Sequence, residues 1–252
     1  MSFIDPACLR AFDAASFRAQ RPFPWAGLCG FLTADGFAAL HRAFPDVALF
    51  ERHENRPRPR GPRPHDRYYL AYEASVYHPL GAPGRGEVRH RALPDAWRAF
   101  IEELNGAPYR AFLSALVGGA PYEVRYAWHL GFAGSEVSPH RDAPEKLATQ
   151  LLYFNTAEDW SGAWGGETLV LGGPRTEAPR PDFGDFETEI AVPFLGNRSL
   201  LFANGAAAWH GMRAIRPPAE RYRRVFNVIV SRPAAAWRRL GRRALRVARR
   251  AM

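Results

Sequence analysis

The sequence predicts an α+β fold in which helices of the first half support an antiparallel β core made by the second half. Apolar residues recur at helical spacing up to about residue 120, and short apolar segments divided by Gly, Pro, Asn and Asp follow them. No helical pattern separates those segments, which argues against a parallel sheet and favours a sandwich or barrel. With 252 residues, 47% of them hydrophobic, the chain can build one large domain, expected at residues 1–232.

Four helices are expected in the first half, where capping residues and one-sided apolar patterns coincide. Asp5 followed by Pro6 is typical of an N-cap and a first helical turn. The last of these helices ends at two consecutive glycines, which favour the left-handed conformation that closes helices. In order, the helices begin at Pro6, follow the cap Thr33, cover residues 93–105 with Trp97, Phe100, Ile101 and Leu104 on one face, and run from Pro108 to Val117.

A long segment rich in proline and arginine, Glu51 to Arg67, interrupts the helical half and contains no apolar residue. Such a segment cannot bury a core, so we expect an exposed loop. Its arginines could meet an anionic substrate or be solvated, and we favour solvation. The arginines concerned are Arg58, Arg60, Arg63 and Arg67.

Seven strands are expected after Pro121, and their short length and frequent turn residues are typical of a jelly-roll. The predicted jelly-roll covers about residues 121–232, and the predicted helical half about residues 1–120. The strand segments are YEVRYAWHLGF, KLATQLLYF, GETLVLGG, TEIAV, NRSLLFANG, AAWHGMRAI and RYRRVFNVIV.

His140 and Asp142 are the first candidate metal ligands. Side chains two residues apart on an extended segment point to the same side, so both can contact one ion. His210, in another apolar segment, is the best candidate for a third ligand, although it could instead be a satisfied buried histidine. Two His and one carboxylate form the facial triad of non-haem Fe(II) enzymes, which leaves three positions of an octahedral ion for other ligands. A closed zinc site would need a fourth His or Cys, so zinc ranks below iron.

An ordered set of short motifs between His140 and Val230 resembles the double-stranded β-helix of the Fe(II)/2-oxoglutarate dioxygenases. The resemblance is to their prolyl-4-hydroxylase-like branch and covers more than a third of the chain. The motifs are His140-Arg141-Asp142, Tyr153-Phe154-Asn155, Asp159-Trp160, Gly165-Gly166-Glu167, Leu200-Leu201-Phe202, His210 and Arg223 or Arg221.

The resemblance implies a reaction as well as a fold. Fe(II) held by His140, Asp142 and His210 would bind 2-oxoglutarate and O₂, and oxidative decarboxylation to succinate and CO₂ would be coupled to hydroxylation of a substrate. Peptidyl prolyl groups, amino acids and natural products or sugars all remain open as substrates, because loops outside the barrel determine specificity. Trp128 and His129 could reach the mouth of the site, but packing is the more common role of such residues.

The resemblance also implies a binding site for the 2-oxoglutarate carboxylate on the last strand. An arginine offers that carboxylate a permanent charge and a planar fork. Arg221 and Arg223 share a strand face with Val225, whereas Arg224 alternates to the other face. By analogy with the last strand of the family, counted back from Ser231, Arg223 is the first choice and Arg221 the second. Tyr153 would add a hydroxyl donor. Val225 stands where the family has Ser or Thr, so carboxylate binding is expected to differ there.

The positive charge of the chain is concentrated in its last residues. Residues 234–252 carry seven arginines and no acid, and without them the formal charge of +9 falls to +2. A nearly neutral body argues against nucleic-acid binding. The segment 233–252 is predicted to form a basic amphipathic helix that could contact an anionic membrane surface, nucleic acid or an acidic partner, or pack on the domain.

The sequence also bears on the location of the protein in the cell and allows an alternative function. The absence of a long apolar run, the acidic and proline-containing start of the chain, and only two cysteines, Cys8 and Cys29, favour a cytoplasmic protein. The alternative to the dioxygenase is a catalytically inactive jelly-roll binding protein, which the basic tail would attach to a membrane surface or an acidic partner. The oligomeric state is left open.

Overall fold

A computed structural model describes residues 1–55, 63–77 and 86–233 of the chain. The predicted C-terminal helix lies outside the described residues, apart from residue 233, as do Arg58 and Arg60. The α-helices are α1 (Pro6–Ala11), α2 (Ala14–Ala19), α3 (Ala34–Arg42), α4 (Asp95–Asn105) and α5 (Ala107–Leu116). The strands are β1 (Trp25–Cys29), β2 (Glu51–His53), β3 (Arg67–Tyr72), β4 (Glu87–Val88), β5 (Glu123–Gly131), β6 (Val137–His140), β7 (Lys146–Tyr153), β8 (Thr168–Pro174), β9 (Phe186–Val192), β10 (Arg198–Ala203), β11 (Trp209–Met212) and β12 (Arg223–Ser231).

Two sheets form the β core. The larger sheet has the strand order β1-β10-β7-β12-β5-β3-β2, with β4 added to β3 in parallel. The smaller sheet has the order β6-β11-β8-β9, and every pair in it is antiparallel. Most neighbouring strands are not consecutive in sequence, as in the predicted jelly-roll, the exceptions being the pairs β2–β3, β3–β4 and β8–β9.

Capping side chains begin the helices where the sequence predicts. Asp5 accepts the N–H of Ala7 at 2.8 Å, and the Thr33 hydroxyl accepts the N–H of Gly36 at 3.0 Å, so each satisfies an amide that has no partner within its helix. The apolar face predicted for α4 is buried, including Trp97.

The first half contains strands as well as helices, which the sequence did not predict. Strands β1 to β4 all precede residue 120 and extend the larger sheet at both edges. β1 pairs with β10, which lies more than 160 residues later, and β3 pairs with β5. Such strands depend on distant partners rather than on a local apolar pattern, which explains why the pattern missed them.

The larger sheet separates two environments because successive side chains alternate between its faces. One face packs on the helices, where Trp97 of α4 lies 5.1 Å from Trp128 and 5.0 Å from Phe226, measured between ring centroids. The opposite face looks toward the smaller sheet, and His129 lies on it. Packing is therefore the role of Trp128, whereas His129 lines a cavity.

Arg63 fastens the end of the arginine-rich segment to the smaller sheet. Its two terminal nitrogens donate to the Asp182 carboxylate at 2.7 Å each, and its Nε donates to Glu136 at 2.6 Å. Arg67 begins β3 and is buried. Solvation, which the sequence favours for these arginines, is therefore wrong for Arg67, whereas Arg63 is ion-paired with 40% of its side chain exposed.

The structure also describes the two cysteines and bears on whether any helix could span a membrane. Cys8 and Cys29 are both free thiols. Among the described residues, no helix has the length and apolar character required to cross a bilayer.

Phe226→Ala is expected to lower the free energy of unfolding by about 3–5 kcal/mol, because it leaves a cavity between α4 and the larger sheet. Urea denaturation followed by circular dichroism measures the change. Leu49→Ala is the control, since Leu49 is 49% exposed and its truncation is expected to cost about 0.5 kcal/mol or less. Equal losses for the two variants would contradict the packing described for Phe226.

The Arg63–Asp182 pair is expected to make stability depend on pH. Hydrogen bonds from Arg63 are the main cause that lowers the pKa of Asp182 to about 2, whereas an unperturbed Asp titrates near about 3.9. Because the folded pKa is the lower one, the pair stabilises the fold above about pH 4, and this contribution is lost as the pH falls through about 2. Wild type should therefore lose more unfolding free energy than Arg63→Gln between about pH 5 and about pH 2.5. Parallel losses would contradict this, and Arg52→Gln, which removes an exposed pair with Glu54, is the control.

Candidate metal centre

The structure brings His140, Asp142 and His210 together at one end of the smaller sheet. His140 ends β6 and is the register partner of His210 on β11, and their ring centroids are 4.3 Å apart. Asp142 follows two residues after His140. One ligand atom from each of the three side chains lies within 4.8 Å of the other two.

Backbone carbonyls orient both imidazole rings. Nδ1 of His140 lies 3.1 Å from the carbonyl oxygen of Ser138, and Nδ1 of His210 lies 3.1 Å from that of Ala208. A carbonyl oxygen only accepts hydrogen bonds, so each Nδ1 carries the proton and each Nε2 presents a lone pair. This is the arrangement in which protein imidazoles bind metal ions.

Two donors fix the carboxylate of Asp142. Lys146 Nζ lies 2.6 Å from Oδ1, and the Thr149 hydroxyl donates to Oδ2 at 3.0 Å. Burial alone would raise the pKa of Asp142, but the positive charge of Lys146 and its hydrogen bond to the carboxylate outweigh burial and lower the pKa well below its ordinary value. The carboxylate is therefore ionised, as metal binding requires.

Lys146 and Thr149 were not predicted from the sequence. Thr149 shares a face of β7 with Leu151 and Tyr153, so strand parity carried a signal for it. Lys146 is the one lysine of the chain and carried no such signal, because the turn between Asp142 and β7 brings it to the carboxylate.

The donor set suits a facial Fe(II) site. Two imidazole nitrogens and one carboxylate oxygen form the cluster, and among the described residues no fourth His, Cys, Asp or Glu joins it. A structural zinc ion would take four protein ligands. The cluster therefore fits a metal that keeps coordination positions for other molecules.

A cavity of about 360 Å³ lies between the two sheets and includes the three candidate ligands in its wall. It extends along β12 to Arg223 and across the larger sheet to β3. Arg221, the second choice from the sequence, is exposed, precedes β12 and does not line this cavity.

Arg223 is a buried cation at one end of the cavity. Its Nε donates to the carbonyl oxygen of Gly166 at 2.6 Å, and its Nη2 donates to the Thr168 hydroxyl at 3.0 Å. No carboxylate of the described residues lies within ion-pair distance of it. Burial lowers the pKa of Arg223, which reflects the cost of holding its charge away from water. A bound anion would offset that cost.

Tyr153 packs against Arg223 but does not itself line the cavity. Its hydroxyl donates to Thr168 Oγ1 at 2.8 Å, and its ring centroid is 5.1 Å from the Arg223 guanidinium carbon. Gly166 has φ +121°, and a Cβ there would meet the Phe194 ring at 2.7 Å, so the turn that supplies the Arg223 acceptor requires glycine.

Asn155 positions the start of β12. Its side-chain oxygen accepts the N–H of Arg224 at 2.7 Å, and its amide nitrogen donates to the carbonyl oxygen of Tyr222 at 3.0 Å. The same amide donates to Asp159 at 3.2 Å. Asn155 thus holds the backbone on both sides of Arg223, which gives two of the sequence motifs a structural role.

Solved structures with the same fold include several oxygenases. A prolyl-4-hydroxylase of Pseudomonas putida matches with a TM-score of 0.56 and 14% identity, over 91% of this chain and 99% of that one. A non-haem α-ketoglutarate-dependent carbocyclase of nogalamycin biosynthesis matches with a TM-score of 0.56 and 13% identity, over 90% and 87%. HygX of Streptomyces hygroscopicus, solved with nickel, 2-oxoglutarate and hygromycin B, matches with a TM-score of 0.51 and 12% identity, over 83% of each chain.

No protein-family model matches the sequence, and no curated protein matches it. At identities of 12–14% the structural matches establish the fold. The chain therefore shares the jelly-roll fold of these solved structures, and a jelly-roll is what its motifs predicted.

Thr149→Val is expected to weaken Mn(II) binding by about 10-fold to 100-fold, because it removes the hydroxyl that orients Asp142. Asp142→Asn should weaken it further, since it removes a charged ligand. Isothermal titration of Mn(II) measures both effects, and Thr188→Val, on an exposed position of β9, is the matched control. Unchanged affinity in Asp142→Asn would exclude the proposed metal centre.

Proposed function

We propose that the protein is a non-haem Fe(II) dioxygenase that couples oxidative decarboxylation of 2-oxoglutarate to hydroxylation of a second substrate. One observation carries the proposal: the cavity that contains His140, Asp142 and His210 also contains Arg223, a buried cation with no carboxylate partner among the described residues. A metal cluster and an anion site in one cavity are what a chelating keto-acid with a second carboxylate requires.

His140, Asp142 and His210 would hold the metal ion through two Nε2 atoms and one carboxylate oxygen. When bound, Fe(II) would supply the chemistry that couples 2-oxoglutarate and O₂ to oxidation of a C–H bond. The chain itself fixes the ligands: Lys146 and Thr149 hold Asp142 in place, and two carbonyl oxygens hold the imidazoles.

Arg223 would bind the distal carboxylate of 2-oxoglutarate. Thr168 would add a second donor, because its oxygen already accepts from both Arg223 and Tyr153. A hydroxyl has two acceptor sites and one proton, so the Thr168 proton remains to point at a bound anion. Thr168 thereby supplies the hydroxyl that Val225 lacks, and Tyr153 acts through Thr168.

The second substrate is proposed to be a small molecule or a peptide side chain. HygX was solved with hygromycin B, and a prolyl hydroxylase from Trichoplax adhaerens was solved with a hypoxia-inducible-factor peptide, so the fold accommodates both kinds of ligand. A cavity of about 360 Å³ lies at the small end of the roughly 300–1,000 Å³ range of small-molecule sites. That volume favours a compact reacting group.

The alternative function, an inactive jelly-roll binding protein, is less well supported. Loss of a ligand or of the anion-binding arginine would be expected in an inactive relative, and all four side chains lie in the cavity. Residues 234–252 lie outside the described part of the chain, so contact of the basic tail with a membrane surface or an acidic partner stays a prediction. A cytoplasmic location also stays a prediction.

Arg223→Gln is expected to raise the KM for 2-oxoglutarate by about 10-fold to 100-fold, because it removes a charge-assisted contact to the carboxylate. Succinate formation by anaerobically iron-loaded protein measures turnover, and isothermal titration in the presence of Mn(II) measures 2-oxoglutarate binding. Arg221→Gln is the matched control and should leave both unchanged, since Arg221 is exposed.

Two outcomes separate the possible functions. Binding of 2-oxoglutarate without succinate formation, even in the uncoupled reaction, would favour the inactive binding protein. Wild-type protein that binds neither Mn(II) nor 2-oxoglutarate would exclude the dioxygenase.

A further inference from the structure

The cavity continues past the metal cluster into a region that neither the metal nor 2-oxoglutarate explains. We name this region the side chamber. The larger sheet forms its floor, where Tyr69 is the register partner of His129 and His129 that of Val225. Adjacent strands are about 4.8 Å apart, so the backbone of Tyr69 lies about 10 Å from that of Val225. The side chamber is lined by His53, His65, Arg67, Tyr69, Tyr77 and His129.

Arg67 is the charged group of the side chamber and is only 8% exposed. Its Nη2 donates to the Tyr77 hydroxyl at 2.6 Å, and its Nη1 donates to the carbonyl oxygen of His65 at 3.3 Å. Its Nε is buried without a hydrogen-bond partner. No carboxylate of the described residues is within ion-pair distance, whereas Arg63, four residues earlier, contacts two. Arg67 is therefore a buried cation with unused donors and, among the described residues, no counter-ion.

Aromatic rings hold the Arg67 guanidinium in place. Its central carbon lies 5.6 Å from the Tyr69 ring centroid and 5.7 Å from that of Tyr77, and the two rings meet edge to face at 5.0 Å. His53 stacks on Tyr69 at 5.5 Å. Cation–π contacts of this kind fix the plane of the guanidinium without using its hydrogen-bond donors.

Arg67 is the arginine that lines the side chamber, and its charge acts on the neighbouring His129. Burial is the main cause that lowers the pKa of His129 well below its ordinary value, and the charge of Arg67 is the next. His129 is therefore neutral. Asp66 and Arg125 also line the cavity, and because one is negative and the other positive they add no net charge to it. Asp66 accepts the N–H of Asn55 at 2.8 Å, and Arg125 is exposed.

We propose that Arg67 binds an oxyanion of the second substrate, a carboxylate or a phosphate, and orients that substrate against the metal cluster. The inference rests on the proposed function, because it assigns the 2-oxoglutarate carboxylate to Arg223 and leaves Arg67 for the molecule that is oxidised. A guanidinium donates two parallel hydrogen bonds to either oxyanion. The substrate class is therefore a compact acid whose oxidised carbon lies several bonds from its anionic group.

Isothermal titration with benzoate, phenyl phosphate and benzamide tests the proposal. These probes share a ring that can pack on Tyr69 and Tyr77 and differ in charge. Titrations use full-length protein with Mn(II) and 2-oxoglutarate and, separately, Arg223→Gln, in which the other anion site is removed. In both proteins, whichever of benzoate and phenyl phosphate binds more tightly (the better anion) is expected to bind at least about 10-fold more tightly than benzamide. Arg67→Gln should abolish this preference for the anion. The order of benzoate and phenyl phosphate identifies the oxyanion.

Control variants separate a binding role from a structural one. Arg52→Gln, which alters an exposed arginine outside the cavity, should keep the preference for the anion. Arg67→Lys keeps the charge but loses the planar fork, so it should bind the better anion about 10-fold less tightly than wild type. If Arg67→Gln does not fold, the lysine variant decides.

Two results would overturn the proposal: anions that bind no better than benzamide, or a preference for the anion that is as strong in the Arg67 variants as in the wild type. Failure of the proposed function gives a different pattern. Wild-type protein would then not bind 2-oxoglutarate, while the titrations of the Arg223→Gln protein would still report on Arg67.

Discussion

The antiparallel pairing of β6 with β11 is the constraint on which the site depends. It sets His140 opposite His210, so the distance between the two rings is determined by the sheet rather than by mobile loops. Carbonyl oxygens of the same two segments then fix the ring tautomers. Only the third ligand, Asp142, lies beyond the end of its strand, and it is the ligand that needs side-chain donors to hold it. Preorganisation by backbone geometry leaves little to be ordered when a metal binds.

The larger sheet buries enough apolar surface on one face to allow a polar cavity on the other. Its helix-facing side carries a dense aromatic core around Trp97 and Phe226, which supplies the apolar burial that holds the domain together. The opposite side is then relieved of that role and can present arginines, histidines and hydroxyls to a cavity. Two of those arginines, Arg67 and Arg223, are buried without carboxylate partners among the described residues, an arrangement that costs stability unless anions bind.

The parts of the structure that the sequence predicted are those that local patterns encode. Helix caps such as Thr33, the strands of the second half other than β6, and the face shared by Arg223 and Val225 follow from spacing alone. The three candidate ligands could be predicted as one set because their motifs occur in a recognisable order along the sequence. Strands β1 to β4, the Arg63 contacts and the side chamber around Arg67 depend on pairings between distant segments, for which the sequence offers no local signal.

The position of β12 has a consequence for the order in which the protein can fold. This last strand lies between β7 and β5 in the middle of the larger sheet, and β1, from the N-terminus, pairs with β10. Contacts of such long sequence separation make folding slow. During synthesis the sheet has a gap at its centre until residue 231 has left the ribosome, so the anion site at Arg223 is completed only after the other eleven described strands have been translated.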